Sequence, residues 1–135
     1  MWRVIGVIVL ILLIAGGILS WFGLIPQPFA SSYGCADLER LWEANGGSHA
    51  SAETAAAVAL AESGGDPNAY NFNTDSSIDR GLWQINTVHG YFSADFDPDT
   101  NAADAVAISH NGKNWSPWTT YKSGAYRKYC GEAGK

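Results

Sequence analysis

The apolar and polar positions divide the chain into two parts. No residue from Val4 to Ala36 is charged, and the 22 residues from Val4 to Ile25 (VIGVIVLILLIAGGILSWFGLI) contain Ser20 as their one strongly polar side chain. A helix needs about 20 apolar residues to cross the hydrocarbon of a bilayer, so this run predicts a single membrane span, with residues 1–25 as an anchor. Trp21 and Phe22 stand near its end, where amphipathic rings settle at the interface. A cleaved secretory signal is the rival reading, but the apolar stretch of a signal runs about 7–15 residues and ends at small side chains. Arg3 is the only charge ahead of the run, which puts the N-terminus in the cytoplasm and the rest of the chain outside. Pro26 and Pro28 end the helix, and 26–34 reads as a short, stiff linker. The expected location is therefore single-pass and membrane-anchored with an extracytoplasmic domain, or secreted if the segment is cleaved.

After the linker the period changes. Leu38, Leu41 and Trp42 fall at i, i+3 and i+4 in a helix from Cys35 to Asn45, ended by Gly46-Gly47. A second helix starts near Ser51, a plausible N-cap, with Glu53 in its first turn, and stops at Gly64-Gly65. Residues 66–79 are rich in Asn, Asp, Ser and Thr and hold two short strands about a turn at 74–77. GLWQIN follows at 81–86 as a compact segment of mixed polarity. A third helix starts near Asp99 or Thr100 and runs to about His110. A loop follows over 111–118, and a last short helix lies near Gly124 to Cys130. Helices around a small sheet make residues 35–135 an α+β domain.

Charge narrows the partners. The chain has 8 Lys and Arg against 13 Asp and Glu, and every acid lies beyond Ala36. A nucleic-acid binder needs a basic surface to displace counterions from phosphates, so nucleic acid is excluded as a partner. The low charge fraction and high aromatic content also exclude disorder. The two cysteines, Cys35 and Cys130, bracket the whole domain. In an oxidising compartment they would pair and close a long loop, for which loop entropy gives about 4–5 kcal/mol as an upper figure. Two unrelated buried thiols are the alternative.

One residue breaks its own pattern. Ala55, Val58, Ala59 and Glu62 fall at i, i+3, i+4 and i+7, a stripe that is apolar until it reaches a carboxylate. Glu62 also stands in the last turn of its helix, where the macrodipole disfavours negative charge. Both effects raise a carboxyl pKa, and a carboxyl protonated near neutral pH can serve as a general acid. A helix-end Glu that reaches solvent past Gly64-Gly65 fits the same pattern. Cleavage of a glycoside needs a second group for the developing cation, often a carboxylate. Asp75 and Asp79, in the candidate hairpin, are suitably placed for that and equally suited to being turn residues.

These residues resemble a family. The run ESGGDPNAYNFNTDSSIDRGLWQIN, Glu62 to Asn86, is similar to the active-site stretch of animal-type lysozymes: a Glu-Ser closing a helix, then Asn-Thr-Asp-x-Ser-x-Asp, then Gly-x-x-Gln-Ile-Asn. The 17-residue spacing of Glu62 and Asp79 matches as well. Asn111-Gly112 leading to Trp115 and Trp118 resembles a further segment of that family, so the likeness spans about Cys35 to Cys130. Glu62-Ser63-Gly64-Gly65 and Gly81-Leu82-x-Gln84 also resemble bacterial lytic transglycosylases and related cell-wall lysins.

The resemblance implies a lysozyme-like fold with an active-site cleft, and it implies roles. Lysozymes are the type case for this pair of carboxylates, so the roles are carried over from them. Glu62 would protonate the glycosidic oxygen, and Asp79 would act as nucleophile or stabilise the oxocarbenium-like state. Ser63, Asn73, Asp75, Gln84 and Asn86 would line the sugar site, and Trp115 would pack near Glu62. For Gln84 a structural hydrogen bond fits equally well, and for Trp83, Trp115 and Trp118 so does plain core packing. A Cys35–Cys130 disulfide would stand where the family ties its first helix to the C-terminal end.

The implied substrate is peptidoglycan, cut at the β-1,4 bond between N-acetylmuramic acid and N-acetylglucosamine. Lytic transglycosylation to 1,6-anhydro products, or a silent wall-binding domain, are the alternatives. The sequence departs from the lysozyme pattern after Asn86, where Thr87-Val88-His89-Gly90 replaces two sugar-stacking tryptophans, which leaves Tyr91 or Phe92 for that task. His49, His89 and His110 lack metal-site spacing and no nucleotide fingerprint occurs, so neither metal nor cofactor is expected.

Overall fold

The computed structural model describes residues 32–89 and 96–133, all within one compact unit, 31–135. The apolar run Val4–Ile25, most of the linker, and Tyr91 and Phe92 lie outside the described residues. No helix among the described residues is long and apolar enough to cross a membrane.

Helix α1 spans Cys35–Ala44. Asp37 in its first turn accepts from the Gly34 backbone N–H (3.1 Å), satisfying a donor that the helix start leaves open. Leu38 and Trp42 are buried, as their spacing predicts. Gly47 follows because a Cβ there would lie 2.1 Å from the Trp42 indole. That indole donates to the Ser48 carbonyl (3.1 Å).

Helix α2 spans His49–Ser63 and ends at Gly64 in the left-handed conformation. It begins two residues before Ser51. Ser48 takes the N-cap position, its hydroxyl 2.5 Å from that of Ser51 and its backbone N–H bound to Asn111 Oδ1 (2.7 Å). The stripe reading is also too narrow. Ala55 to Ala59 are all fully buried, so the helix is enclosed on every side in its middle. Alanine makes this packing work, since its small side chain lets neighbours approach the backbone. The Trp83 indole comes close enough to donate to the Ala55 carbonyl (2.9 Å).

The sheet has three strands rather than two: β1 (Tyr70–Phe72), β2 (Ile78–Arg80) and β3 (Ile85–Asn86), in that order and antiparallel. Asp79 is central, opposite Asn71 on one side and Asn86 on the other. Helix α3 (Pro98–Ile108) is capped by Asp97, which accepts from the Thr100 N–H and hydroxyl (2.9 Å each). Its buried Asn101 joins helix to sheet: it accepts from the Trp83 N–H (2.8 Å) and donates to the Arg80 carbonyl (2.9 Å).

A one-turn helix α4 (Thr119–Lys122), absent from the sequence reading, precedes a 3-10 turn at Ala125–Lys128. Cys130 then bonds Cys35, with Cα atoms 5.5 Å apart. Helices around a small antiparallel sheet form an α+β domain. A run of rings, Trp83–Trp42–Trp115–Tyr121–Tyr126, crosses its core at centroid spacings of 4.6–6.2 Å.

Candidate active site

The end of α2, the sheet and the start of α4 enclose a cleft of about 840 Å³. Glu62 enters from the helix, and Asn73, Asp75, Ser77, Asp79, Gln84 and Asn86 from the sheet and its turns; Trp118, Thr119 and Thr120 close the other side. The last turn of α2 therefore faces the middle strand across open space, with a carboxyl group on each wall.

Glu62 is half-buried. Burial holds its carboxyl above the ordinary range, and the negative charge of Asp79 pushes the same way. The hydroxyl and backbone N–H of Thr120 pull it back, the hydroxyl donating to Oε1 at 2.6 Å. Burial is the larger effect, so Glu62 keeps its proton to higher pH than an exposed glutamate does.

Asp79 is pinned. Asn86 Nδ2 donates to Oδ1 (2.6 Å) and Asn73 Nδ2 to Oδ2 (3.0 Å), one carboxamide for each oxygen. Both amides also donate to the Ser77 hydroxyl (2.9 and 3.1 Å), and Asn73 Oδ1 is held by Asn71 (2.9 Å). The carboxylate thus sits at the centre of a polar network that fixes its plane. Arg80, the next residue along the strand, does not line the cleft. Alternation along a strand sends the two side chains to opposite faces.

Other expected site residues separate into two groups. Asp75 lies on the cleft rim and shapes the turn: the Ser77 hydroxyl and N–H donate to its Oδ1 (2.7 and 3.0 Å) and hold its carboxyl below the usual range. Gln84 lines the cleft, with a positive φ of 49°, and spends its amide on the Ala69 and Gly81 carbonyls (3.0 Å each), which is the structural hydrogen bond. Ser63 and Trp115 do not line it. The Ser63 hydroxyl turns back to the Ala59 carbonyl (2.9 Å) and receives the Gly65 N–H (3.1 Å), because a residue ending a helix beside a glycine cap is drawn to open backbone groups. Trp115 is buried between Trp42 and Tyr121. Trp118, three residues on, takes the cleft position and donates its indole N–H to the Trp83 carbonyl (2.8 Å).

Two features escaped the sequence reading. Thr120 sits on a helix too short to leave a period. Phe72 lines the cleft on β1 while 66% exposed. An aromatic among the polar residues of 66–77 was the available signal, since a large ring there has few apolar neighbours to pack against. Among the described residues no group of acidic, His and Cys side chains is arranged to hold a metal.

A family model described as a lysozyme-like domain matches residues 40–120. No curated protein matches the chain. Among solved structures it is similar to a lysozyme from Litopenaeus vannamei, 22% identical, with a TM-score of 0.51, over 70% of this chain and 87% of that one. At that identity the likeness speaks for the fold.

Proposed function

The chain belongs to the lysozyme-like domain family, enzymes that cleave glycans by hydrolysis or by lytic transglycosylation, and on that premise we propose that it cuts peptidoglycan at the β-1,4 bond between N-acetylmuramic acid and N-acetylglucosamine. The observation that carries this reading is one cleft with Glu62 on one wall, its proton retained by burial, and Asp79 on the other, pinned by Asn73 and Asn86.

The chemistry follows from that pairing. Thr120 donates its hydroxyl to Glu62 Oε1 and holds the carboxyl in place. Glu62 passes its proton to the glycosidic oxygen as the carbon–oxygen bond breaks. Positive charge develops on the sugar, and the fixed carboxylate of Asp79 stabilises it without having to reorient. Water then adds to the sugar and returns a proton to Glu62. The exposed face of Phe72 offers the ring against which a sugar can stack, in place of the missing tryptophans.

Transglycosylation is the second reading, favoured by Gly64-Gly65 directly after Glu62-Ser63. In that case a hydroxyl of the muramic sugar replaces water. Mass spectrometry of digested wall separates the two: reducing ends mean that water attacked, and 1,6-anhydro ends mean that the sugar did. A silent wall-binding domain would give neither.

We also place the enzyme outside the cytoplasmic membrane, tethered through Val4–Ile25. The length of that run and the single charge of Arg3 support this, as does the oxidising compartment that a Cys35–Cys130 bond requires. Tethering keeps the domain at high local concentration beside an insoluble substrate. Blocking of a cysteine introduced at position 2 only after membrane permeabilisation tests the topology; blocking in intact cells would oppose it.

A further inference from the structure

On the far side of α4 from the cleft lies a second groove, of about 650 Å³. The two share the short helix but, among the described residues, no lining residue: Thr119 and Thr120 line the cleft, Tyr121 and Lys122 the groove. They also use opposite ends of α2. Thr54 lines the groove and Glu62 the cleft, eight residues and about 12 Å apart along the helix axis.

The groove is cationic in an acidic protein. Lys113, Lys122 and Arg127, three of the eight Lys and Arg residues of the chain, line it, and among the described residues no Asp or Glu does. All three side chains are exposed. One acid stands behind its wall: the buried Glu132 accepts the Thr54 hydroxyl (2.8 Å), and its charge acts on Tyr121 together with that of Arg127. The floor is rigid: Tyr121 stacks on Tyr126 at 4.6 Å and on Trp115 at 6.1 Å, and the Arg127 guanidinium lies 5.9 Å from the Tyr126 ring centroid. Cations converging on a preformed concave surface focus potential and favour an anionic ligand.

We propose that this groove is a second binding site, taking an anionic chain of the cell wall through repeated carboxylate or phosphate groups while the cleft holds the glycan. It depends on the proposed wall substrate only for where such a chain is found. It also accounts for how a protein with a net charge of −5 approaches a polyanion: the local field of the groove opposes the overall charge.

The test measures sedimentation of the full-length Glu62→Gln protein, in neutral detergent, with purified wall across a salt series, so that nothing is consumed. Lys113→Gln/Lys122→Gln is compared with Arg40→Gln/Lys128→Gln, which removes the same charge outside the groove. The groove pair is expected to weaken binding about tenfold or more at low salt, as about 1 kcal/mol per cation near an anionic surface implies, and to flatten the salt dependence. The control pair should change binding less than twofold. Equal weakening by both pairs would reduce the effect to net charge and overturn the site.

A second arm leaves the groove intact and alters the wall. Loss of binding after removal of phosphate polymers identifies phosphate as the ligand, and loss after amidation of peptide carboxylates identifies carboxylate. Unchanged binding to wall treated both ways overturns the proposal. The groove pair in the Glu62 protein should still cleave a soluble, uncharged chitooligosaccharide like the parent. Absence of cleavage by the parent itself counts against the enzymatic reading and leaves the binding result standing.

Discussion

The Thr120 hydroxyl donates a 2.6 Å hydrogen bond to Glu62 Oε1, joining a one-turn helix near the C-terminus to the end of the central helix. The bond stabilises the ionised carboxylate and so opposes burial, which stabilises the acid. Thr120→Val removes the donor at almost constant volume. The Glu62 pKa then rises further, and the alkaline limb of kcat/KM moves to higher pH. Thr120→Ser keeps the hydroxyl and should keep the limb in place. A pH–rate profile of the three proteins checks this.

The same carboxyl links activity and stability to pH. Its folded pKa is raised above the ordinary value of 4.5, so the folded state binds this proton more tightly than the unfolded chain does. The resulting stabilisation is fully present below about 4.5 and is lost as pH rises through the raised pKa. Glu62→Gln removes the titration. Relative to the parent it should gain stability on going from pH 4 to pH 7, while losing roughly 100-fold or more in cleavage. Thermal melts at the two pH values measure the first and turnover the second.

Asp79 depends on its two carboxamides. Asn73→Ala deletes the donor to Oδ2 and frees the carboxylate plane. Hydrogen bonds to charged groups contribute about 1.5–3 kcal/mol, so kcat should fall roughly 10–100-fold with KM little changed. A variant that loses KM alone would make Asn73 a sugar contact and not a positioning residue.

Phe72 contributes little to the fold, being 66% exposed on an edge strand. Phe72→Ala should shift stability by no more than about 0.5 kcal/mol and raise KM about tenfold. Phe72→Tyr should restore KM. Steady-state kinetics with a calorimetric melt give both quantities.

The disulfide closes nearly the whole domain, 95 residues apart in sequence. Cys35→Ser/Cys130→Ser should cost about 2–5 kcal/mol in denaturant titration. Neither sulfur belongs to the cleft, so activity below the melting transition should survive.

Local patterns announced much of this molecule. Leu38 and Trp42 gave α1 through their spacing, Gly64 gave the end of α2, and Glu62 was marked as an acid at the end of an apolar helix. The Glu62–Asn86 window located the cleft because Asn73, Asp75, Ser77, Asp79, Gln84 and Asn86 lie within one hairpin and the strand after it, close in sequence to Glu62. What stayed hidden depends on contacts distant in sequence. Ser48 rather than Ser51 stands at the N-cap position of α2, and Asn111 holds its N–H from another part of the fold. Trp115 and Trp118 stand in irregular chain, where no period tells which ring enters the core and which faces the cleft. Thr120 meets Glu62 across 58 residues, from a turn of helix too short to show in any pattern.

The most direct test incubates the full-length protein, oxidised and in neutral detergent, with purified peptidoglycan beside its Glu62→Gln variant. The parent should release soluble muropeptides with reducing ends and the variant essentially none. Equal release by both proteins, or no release from a folded, disulfide-bonded parent, would contradict the proposed function.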